Sequence, residues 1–275
     1  MKKIKVTLPD GSCEKYESGI TVKDVAFDIG KRLGQDAVAG KVNGEEVDLS
    51  YSITEDVELS IITIDSQKGL DIYRHTTAHI MAQAIKRLFD DVKLAIGPTI
   101  DDGFYYDVEM DYSLSPEDLD RIEEEMQSII DEDYEIQCEI LSKNEAIDFM
   151  RKKDEKYKVE LIQDIEEDQV SFYHQGEFTD LCRGPHLPKT GKVKAFKLLN
   201  IAGAYWRGDE DNVMLQRIYG TAFPKQSQLK KHLKRLEEAK KRDHNKLGRE
   251  LDLFMTEEAV GQGLPLLTPK GSKVI

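Results

Sequence analysis

Ala78, Met81, Ile85 and Leu88 recur at helical spacing and lay an apolar stripe along one face of a helix. Asp71 is placed to cap that helix, with a side-chain oxygen able to accept from an early backbone N–H. His75 and His79 then stand one turn apart, so their imidazoles point the same way. A second cluster follows far downstream, Asp180-Leu181-Cys182-Arg183-Gly184-Pro185-His186. It cannot be helical throughout, because Gly184-Pro185 breaks it, and Cys182 and His186 are expected on a loop. A helix bearing two imidazoles and a loop bearing a thiol and a third imidazole can converge on one small cleft. That convergence is the strongest demand this chain makes on its fold.

Upstream, residues 1–65 read as a small α+β unit. Ile4, Val6 and Leu8 alternate with polar residues, and Pro9-Asp10-Gly11 signals a turn into a second strand. Thr21-Val22-Lys23-Asp24 has the form of a capping box and opens a helix carrying Val22, Val25, Ala26, Ile29 and Leu33. Asn43-Gly44 marks a tight turn, and Val57 to Ile61 a closing strand. Hairpin, helix and further strands make a β-grasp arrangement, and Ser66-Gln67-Lys68-Gly69 reads as a linker. A larger α+β unit, 66–225, follows. Asp102-Gly103 turns into an aromatic strand, and Ser115-Pro116-Glu117 starts a helix whose Glu123, Glu124 and Glu125 read as a solvated face. A further helix is expected around Asn144 to Arg151, with strands near Val170–Tyr173, Lys194–Leu199 and Val213–Ile218. Residues 226–248 read as a basic helix, and 249–275 are rich in turn formers.

Charge and cysteine usage narrow the function. The chain of 275 residues carries a net charge of −14, which excludes a protein held on nucleic acid by bulk charge. The charge is uneven. Glu109 to Glu135 holds twelve acids and one base, whereas Gln226 to Glu250 holds nine Lys or Arg against four acids, a local basic arm compatible with RNA contact. Three scattered cysteines predict a reducing compartment rather than a disulfide framework. Met1-Lys2-Lys3 leads into an alternating stretch, and no apolar run approaches the ~18 residues of a membrane span. A cytoplasmic protein without signal peptide is expected.

Several chemistries fit the two clusters. His75, His79, Cys182 and His186 supply the nitrogen and sulfur donors of a tetrahedral zinc site, structural if all four ligate and hydrolytic if one position is left for water. Thr76 stands where a zinc protease would carry its general-base Glu. Without metal, imidazoles titrating near neutrality can position or deprotonate a water. Cys182 activated by His186 as a nucleophile ranks lower, since nothing in the sequence sets up a helix N-terminus to lower its pKa. Asp180 either orients a histidine or caps the loop, and Lys158 is a candidate for neutralising a phosphate.

His-Thr-Thr-Ala-His, Ile-Gly-Pro, Gly-Phe-Tyr-Tyr-Asp, Tyr-Lys-Val, Asp-Leu-Cys-Arg-Gly-Pro-His, Ala-Gly-Ala-Tyr-Trp-Arg-Gly-Asp and Leu-Gln-Arg-Ile-Tyr-Gly-Thr-Ala-Phe occur in this order. Together they resemble the amino-terminal half of the bacterial threonyl-tRNA synthetases, and the first unit resembles their TGS domain. The resemblance implies a TGS domain, an editing domain of the alanyl/threonyl type, a connecting helix, and from residue 249 the entrance to a class II catalytic domain, the chain then reading as a truncated piece. It implies hydrolysis of serine wrongly attached to threonine tRNA, with the tRNA acceptor end as partner. His75, His79, Cys182 and His186 match the family's working residues, Lys158 and Asp180 its supporting ones, and Gly97 and Tyr106 lie near the pocket. It further implies editing without a required cofactor, ATP and a separate zinc confined to the catalytic domain, and a homodimer for the full-length family with this stretch a monomer. The related alanyl enzymes bind zinc through the equivalent cluster, so zinc stands as an alternative, as does a docking fragment without catalysis.

Overall fold

The computed structural model describes residues 2–242, 247–248, 250–256 and 265–273. The chain divides into two compact units, Met1–Gln226 and Ser227–Ile275.

The first unit opens with the expected β-grasp. Strands β1 (Lys3–Thr7) and β2 (Cys13–Glu17) form a hairpin in which Ile4 and Val6 point inward and the alternating lysines outward. Its turn is held by Asp10, whose carboxylate accepts from the Ser12 amide at 2.9 Å. The short β3 (Ile20–Thr21) leads into α1 (Val22–Ile29), where Thr21 and Asp24 close the capping box reciprocally. The helix does not run on to Leu33 as its spacing suggests. Gly30, a weak helix former, ends it, and a short α2 (Lys31–Asp36) follows. Strand β4 (Ala37–Val42) turns into β5 (Glu45–Asp48) through Asn43-Gly44, both at positive φ (49° and 96°), the geometry of a two-residue hairpin turn. After β6 (Ser52–Ile53), β7 (Val57–Thr63) inserts parallel to β1 and completes a sheet of order β2-β1-β7-β4-β5. Val25, Ala26 and Leu59 join Ile4 and Val6 in its core.

The central helix α3 (Gln67–Leu88) begins a turn earlier than expected. Ser66, not Asp71, is its cap, accepting from the Gly69 amide at 3.0 Å, and Asp71 lies inside the helix. The expected linker is therefore helix. Gly69 packs so tightly on the end of β7 that an added Cβ would sit 2.0 Å from the Thr63 carbonyl oxygen. Nor is α3 an amphipathic surface helix: every residue from Thr76 to Ile85 is buried. Its polar positions are satisfied inside the protein. Thr77 donates to the Tyr73 carbonyl at 2.8 Å, and Gln83 accepts from Gln175 at 2.8 Å.

Around α3 the larger region builds two antiparallel sheets. Strands β8 (Lys93–Leu94), β9 (Thr99–Ile100) and the aromatic β10 (Gly103–Glu109) come first in the chain. Helix α4 (Pro116–Asp131) then starts at the expected Ser-Pro, with Ser115 and Asp118 as a capping box. Its acidic face is not simply solvated. Glu123 accepts from Lys197 at 2.8 Å and from the Leu198 amide at 2.7 Å, and Glu125 pairs with Arg87 at 3.0 Å, whereas Glu124 is exposed. Strand β11 (Ile136–Ser142), helices α5 (Lys143–Lys152) and α6 (Lys156–Asp164), and strands β12 (Gln169–Gln175) and β13 (Phe178–Leu181) make the second sheet with its helical cover. Strands β14 (Ala195–Tyr205) and β15 (Met214–Phe223) return to the first, in the order β14-β15-β10-β8. In the second unit the basic helix α7 (Gln226–Lys241) is followed by the hairpin of β16 (Phe254–Thr256) and β17 (Pro265–Leu267). The expected continuation of the basic helix at 243–246 and the Gly261-Gln262-Gly263-Leu264 stretch lie outside the described residues.

Candidate functional site

Helix α3 delivers His75 and His79 from one face, and the loop leaving β13 delivers Cys182 and His186. The His79 and His186 ring centroids are 4.3 Å apart, as are those of His75 and His186, and His75 meets His79 edge-on at 5.0 Å. Cys182 Sγ and His186 Nε2 are 3.1 Å apart. One ligating atom from each of His75, His79, Cys182 and His186 lies within 4.8 Å of all the others, so the group could hold a metal ion. Three nitrogens and one sulfur are a donor set that suits zinc.

Behind this group sits a buried charged network. Asp180, the next-to-last residue of β13, receives Lys158 Nζ on Oδ1 at 2.6 Å and the Tyr106 hydroxyl on Oδ2, and His79 Nε2 lies 3.5 Å from that same Oδ2. Lys158 also donates to the Tyr106 hydroxyl at 3.0 Å. Asp180, Lys158 and Tyr106 are each no more than 3% exposed, so Lys158 is a counter-ion inside the protein rather than a surface group waiting for phosphate. Burial pushes the Asp180 carboxyl up, but the Lys158 charge, the coupling to His79 and the hydrogen bonds from Lys158 and Tyr106 outweigh it and leave the pKa below the usual carboxylate value. The structure joins Lys158 and Asp180, which the sequence reading treats separately, in one network, with Asp180 next to His79.

A cavity of about 200 Å³ opens beside the cluster, lined by Glu46, Lys68, Asp71, Ile72, His75, Thr99, Gly184 and Pro185. Of the three clustered imidazoles, His75 is the one on its wall; His79 and His186 are each 2% exposed and lie behind it.

Comparison with known proteins now gives this arrangement its relatives. Residues 4–63 match the TGS domain, and residues 170–219 match the threonyl and alanyl tRNA synthetase second additional domain. The chain is 58% identical over 269 residues to the threonine–tRNA ligase of Acetivibrio thermocellus, 98% of this chain and 42% of that protein. It is 57% identical over 272 residues to that of Caldanaerobacter subterraneus subsp. tengcongensis and 55% over 269 to that of Desulforamulus reducens, with the same two shares covered. This chain carries the amino-terminal domains of the threonine–tRNA ligase family. It spans less than half the length of those ligases. No helix among the described residues is long and apolar enough to cross a membrane.

Within this threonine–tRNA ligase region, burial governs the titration of the cluster. Burial lowers His75 to about 4 and His79 to about 3, the Asp180 charge opposing it in both, and burial also pushes His186 well down. All three are neutral at neutral pH, the state that can accept a proton or bind a metal. Burial raises the Cys182 thiol well above its usual value, which counts against a free thiolate nucleophile. A pH dependence of stability follows. The unfolded histidines titrate near 6.5 and bind protons that the folded ones refuse, so their contribution is fully present above about pH 6.5. It is lost as pH falls toward 4 for His75 and on toward 3 for His79. The slope approaches about 1.4 kcal/mol per pH unit for each histidine. Urea unfolding at pH 7, 5.5 and 4.5 reads it, and equal stabilities would contradict it.

Gly97 is not on the cavity wall at His75; it lets the chain pass close over Tyr106. An added Cβ would lie 2.3 Å from the Tyr106 ring, which is fully buried and cannot retreat. Gly97→Ala is expected to cost about 1–3 kcal/mol, lowering the melting temperature by several degrees.

Sequence reasoning gives no place in the site to Thr76, Tyr173 or Asp48. Thr76 Oγ1 lies 3.1 Å from His186 Nδ1 and accepts from the Leu187 amide at 3.0 Å. It stands between the two histidines of α3, and its position there was the available signal. The Tyr173 ring packs on His186 at 4.4 Å. Asp48 comes from the β-grasp, and no local pattern marks it.

Proposed function

We propose that this region performs hydrolytic proofreading, cleaving the ester of serine wrongly attached to threonine tRNA. The observation that carries the reading is a single neutral imidazole, His75, on the wall of a small cavity and backed by two further imidazoles, a thiol and a buried Lys–Asp pair. Serine lacks one methyl of threonine, a difference worth only about 1–3 kcal/mol in a binding pocket, so a second, hydrolytic sieve is needed for accuracy. A cavity of about 200 Å³ suits an aminoacyl group and favours the smaller of the two.

The terminal adenosine of the tRNA places the ester carbonyl in this cavity. A water held by His75 attacks it, and His75 takes up the proton. With its pKa near 4 the imidazole is entirely in the accepting form at neutral pH. Lys158 stays paired with Asp180 and makes no direct contact with the substrate; the pair sits behind the site, with Asp180 against His79. His79, Cys182 and His186 hold the site's shape, and Tyr106, with Gly97 packed over its ring, holds Asp180 behind them. The editing step needs no cofactor on this reading. Aminoacylation, with ATP and a zinc of its own, is assigned to the class II catalytic domain of the longer ligases, whose homodimers would carry this region as an appended unit.

A second reading rests on the four-donor cluster: His75, His79, Cys182 and His186 would hold zinc, which when bound supplies Lewis-acid polarisation and a lowered water pKa. Deacylation of seryl- and threonyl-tRNA(Thr) by purified protein, assayed with and without chelator alongside metal analysis, tests both. Selective loss of the seryl ester in metal-free protein is expected. Equal rates on the two esters, or tRNA binding without turnover, would overturn the proofreading reading in favour of a docking role for the TGS domain and basic α7; stoichiometric zinc lost together with activity would favour the metal reading.

A further inference from the structure

The loop after Gly184-Pro185 presents two successive backbone amides to side chains from opposite directions. The Leu187 amide goes to Thr76 of α3, and the His186 amide goes to Asp48 Oδ1 at 2.9 Å. Asp48 ends β5 of the β-grasp, 138 residues away in sequence. Its second oxygen accepts from the Tyr173 hydroxyl at 2.7 Å. The Tyr173 ring in turn packs tilted against the His186 ring, and Gly184, at φ +64°, passes so close that an added Cβ would lie 1.9 Å from the Tyr173 hydroxyl oxygen. One carboxylate therefore fixes both the backbone of His186 and the aromatic wall against its ring. Through His186 that constraint reaches Cys182 and the face of His75. The same strand supplies a second wall element, since Glu46 of β5 lines the cavity at His75 and pairs with Lys68 of α3 at 3.0 Å.

We propose that Asp48 is a positioning residue of the editing site, so that the TGS region is a structural part of that site rather than a separate docking module. This rests on the proofreading reading above. Asp48 touches no substrate; it acts by holding His186, and so Cys182 and His75, in register. The carboxylate works as a two-point hydrogen-bond acceptor, and the point that matters for the site is the one facing the His186 amide.

The test compares Asp48→Ala, Asp48→Asn and the parent chain. Three measurements are made: kcat and KM for seryl-tRNA(Thr) deacylation, the rate of Cys182 alkylation by iodoacetamide read site by site in a mass spectrometer, and the melting temperature. Asp48→Ala is expected to lower kcat by about 10- to 100-fold with KM changed by less than about threefold. Cys182 should alkylate roughly tenfold faster as its partner His186 loosens. Asp48→Asn keeps an oxygen for the His186 amide and an amide that can donate to Tyr173, and it should retain kcat and alkylation rate within about fivefold. Unchanged kcat and alkylation in Asp48→Ala would overturn the proposal. So would equal losses in both variants that track a matched drop in melting temperature. If the parent chain deacylates nothing, the proofreading reading fails by itself, and the Cys182 rate still decides whether Asp48 holds the loop.

Discussion

His75→Ala lowers deacylation of seryl-tRNA(Thr) by about 100- to 1,000-fold while leaving tRNA affinity within a factor of about three, the loss expected when one general base is removed from an otherwise intact site. The expectation rests on position. His75 is on the cavity wall, whereas His79 and His186 are buried behind it, and Cys182 carries a thiol that burial keeps protonated. His75 is also the least constrained of the four: its neighbours in the cluster are other rings, while His186 is held by Thr76 and Cys182 and His79 lies against Asp180. Truncation at position 75 should therefore remove chemistry with little cost to folding. Single-turnover rates with radiolabelled seryl-tRNA, compared with circular dichroism melts of the same preparations, separate the two. A variant that melts like the parent and still turns over at the parental rate would remove His75 from the mechanism.

Asp180→Ala should be the most destabilising single change in the site. It leaves the Lys158 ammonium, 3% exposed, without its carboxylate and strips the Tyr106 hydroxyl of an acceptor. Breaking a buried ion pair by removing one partner costs about 3–5 kcal/mol, chiefly because the remaining charge is stranded. For a region of this size that corresponds to a fall in melting temperature of roughly 6–20 °C. The double variant Asp180→Ala with Lys158→Met removes both charges and should recover a large part of the loss. Thermal melts of the two single variants and the double decide it. A double variant no more stable than Asp180→Ala would mean that the pair is not what holds this part of the core together.

Much of this could be read from residues, and the misreadings share a cause. The β-grasp was legible because its signals are local: alternation in β1, a capping box at Thr21, and an Asn-Gly turn. The convergence of His75, His79, Cys182 and His186 was expected from two compact motifs, and the structure brings all four within 4.8 Å. The sequence shows an apolar stripe on one face of α3, but the fold buries the polar positions as well, and it satisfies Thr77 within the helix and Gln83 from β12. The same logic hid the pairing of Glu123 and Glu125, since an acidic run carries no mark of the Lys197 and Arg87 that reach it from elsewhere. Asp71 reads as the cap because the apolar period becomes visible only after it, yet the cap is Ser66, which the sequence assigns to a linker, and Gly69 seats tightly on Thr63. Asp48 shows the limit most plainly. Its role depends on a contact spanning 138 residues, and nothing around it in sequence differs from an ordinary strand end.

The central claim is that the cavity at His75 is where the aminoacyl ester lies, and a crystal structure of the protein soaked with a seryl-adenosine in which an amide replaces the ester tests it directly. The account predicts the seryl group in the cavity between His75, Thr99 and Gly184, its carbonyl carbon within reach of a water hydrogen-bonded to the His75 ring. An analogue bound elsewhere with the His75 cavity empty, or a seated analogue whose carbonyl faces away from His75, would contradict it.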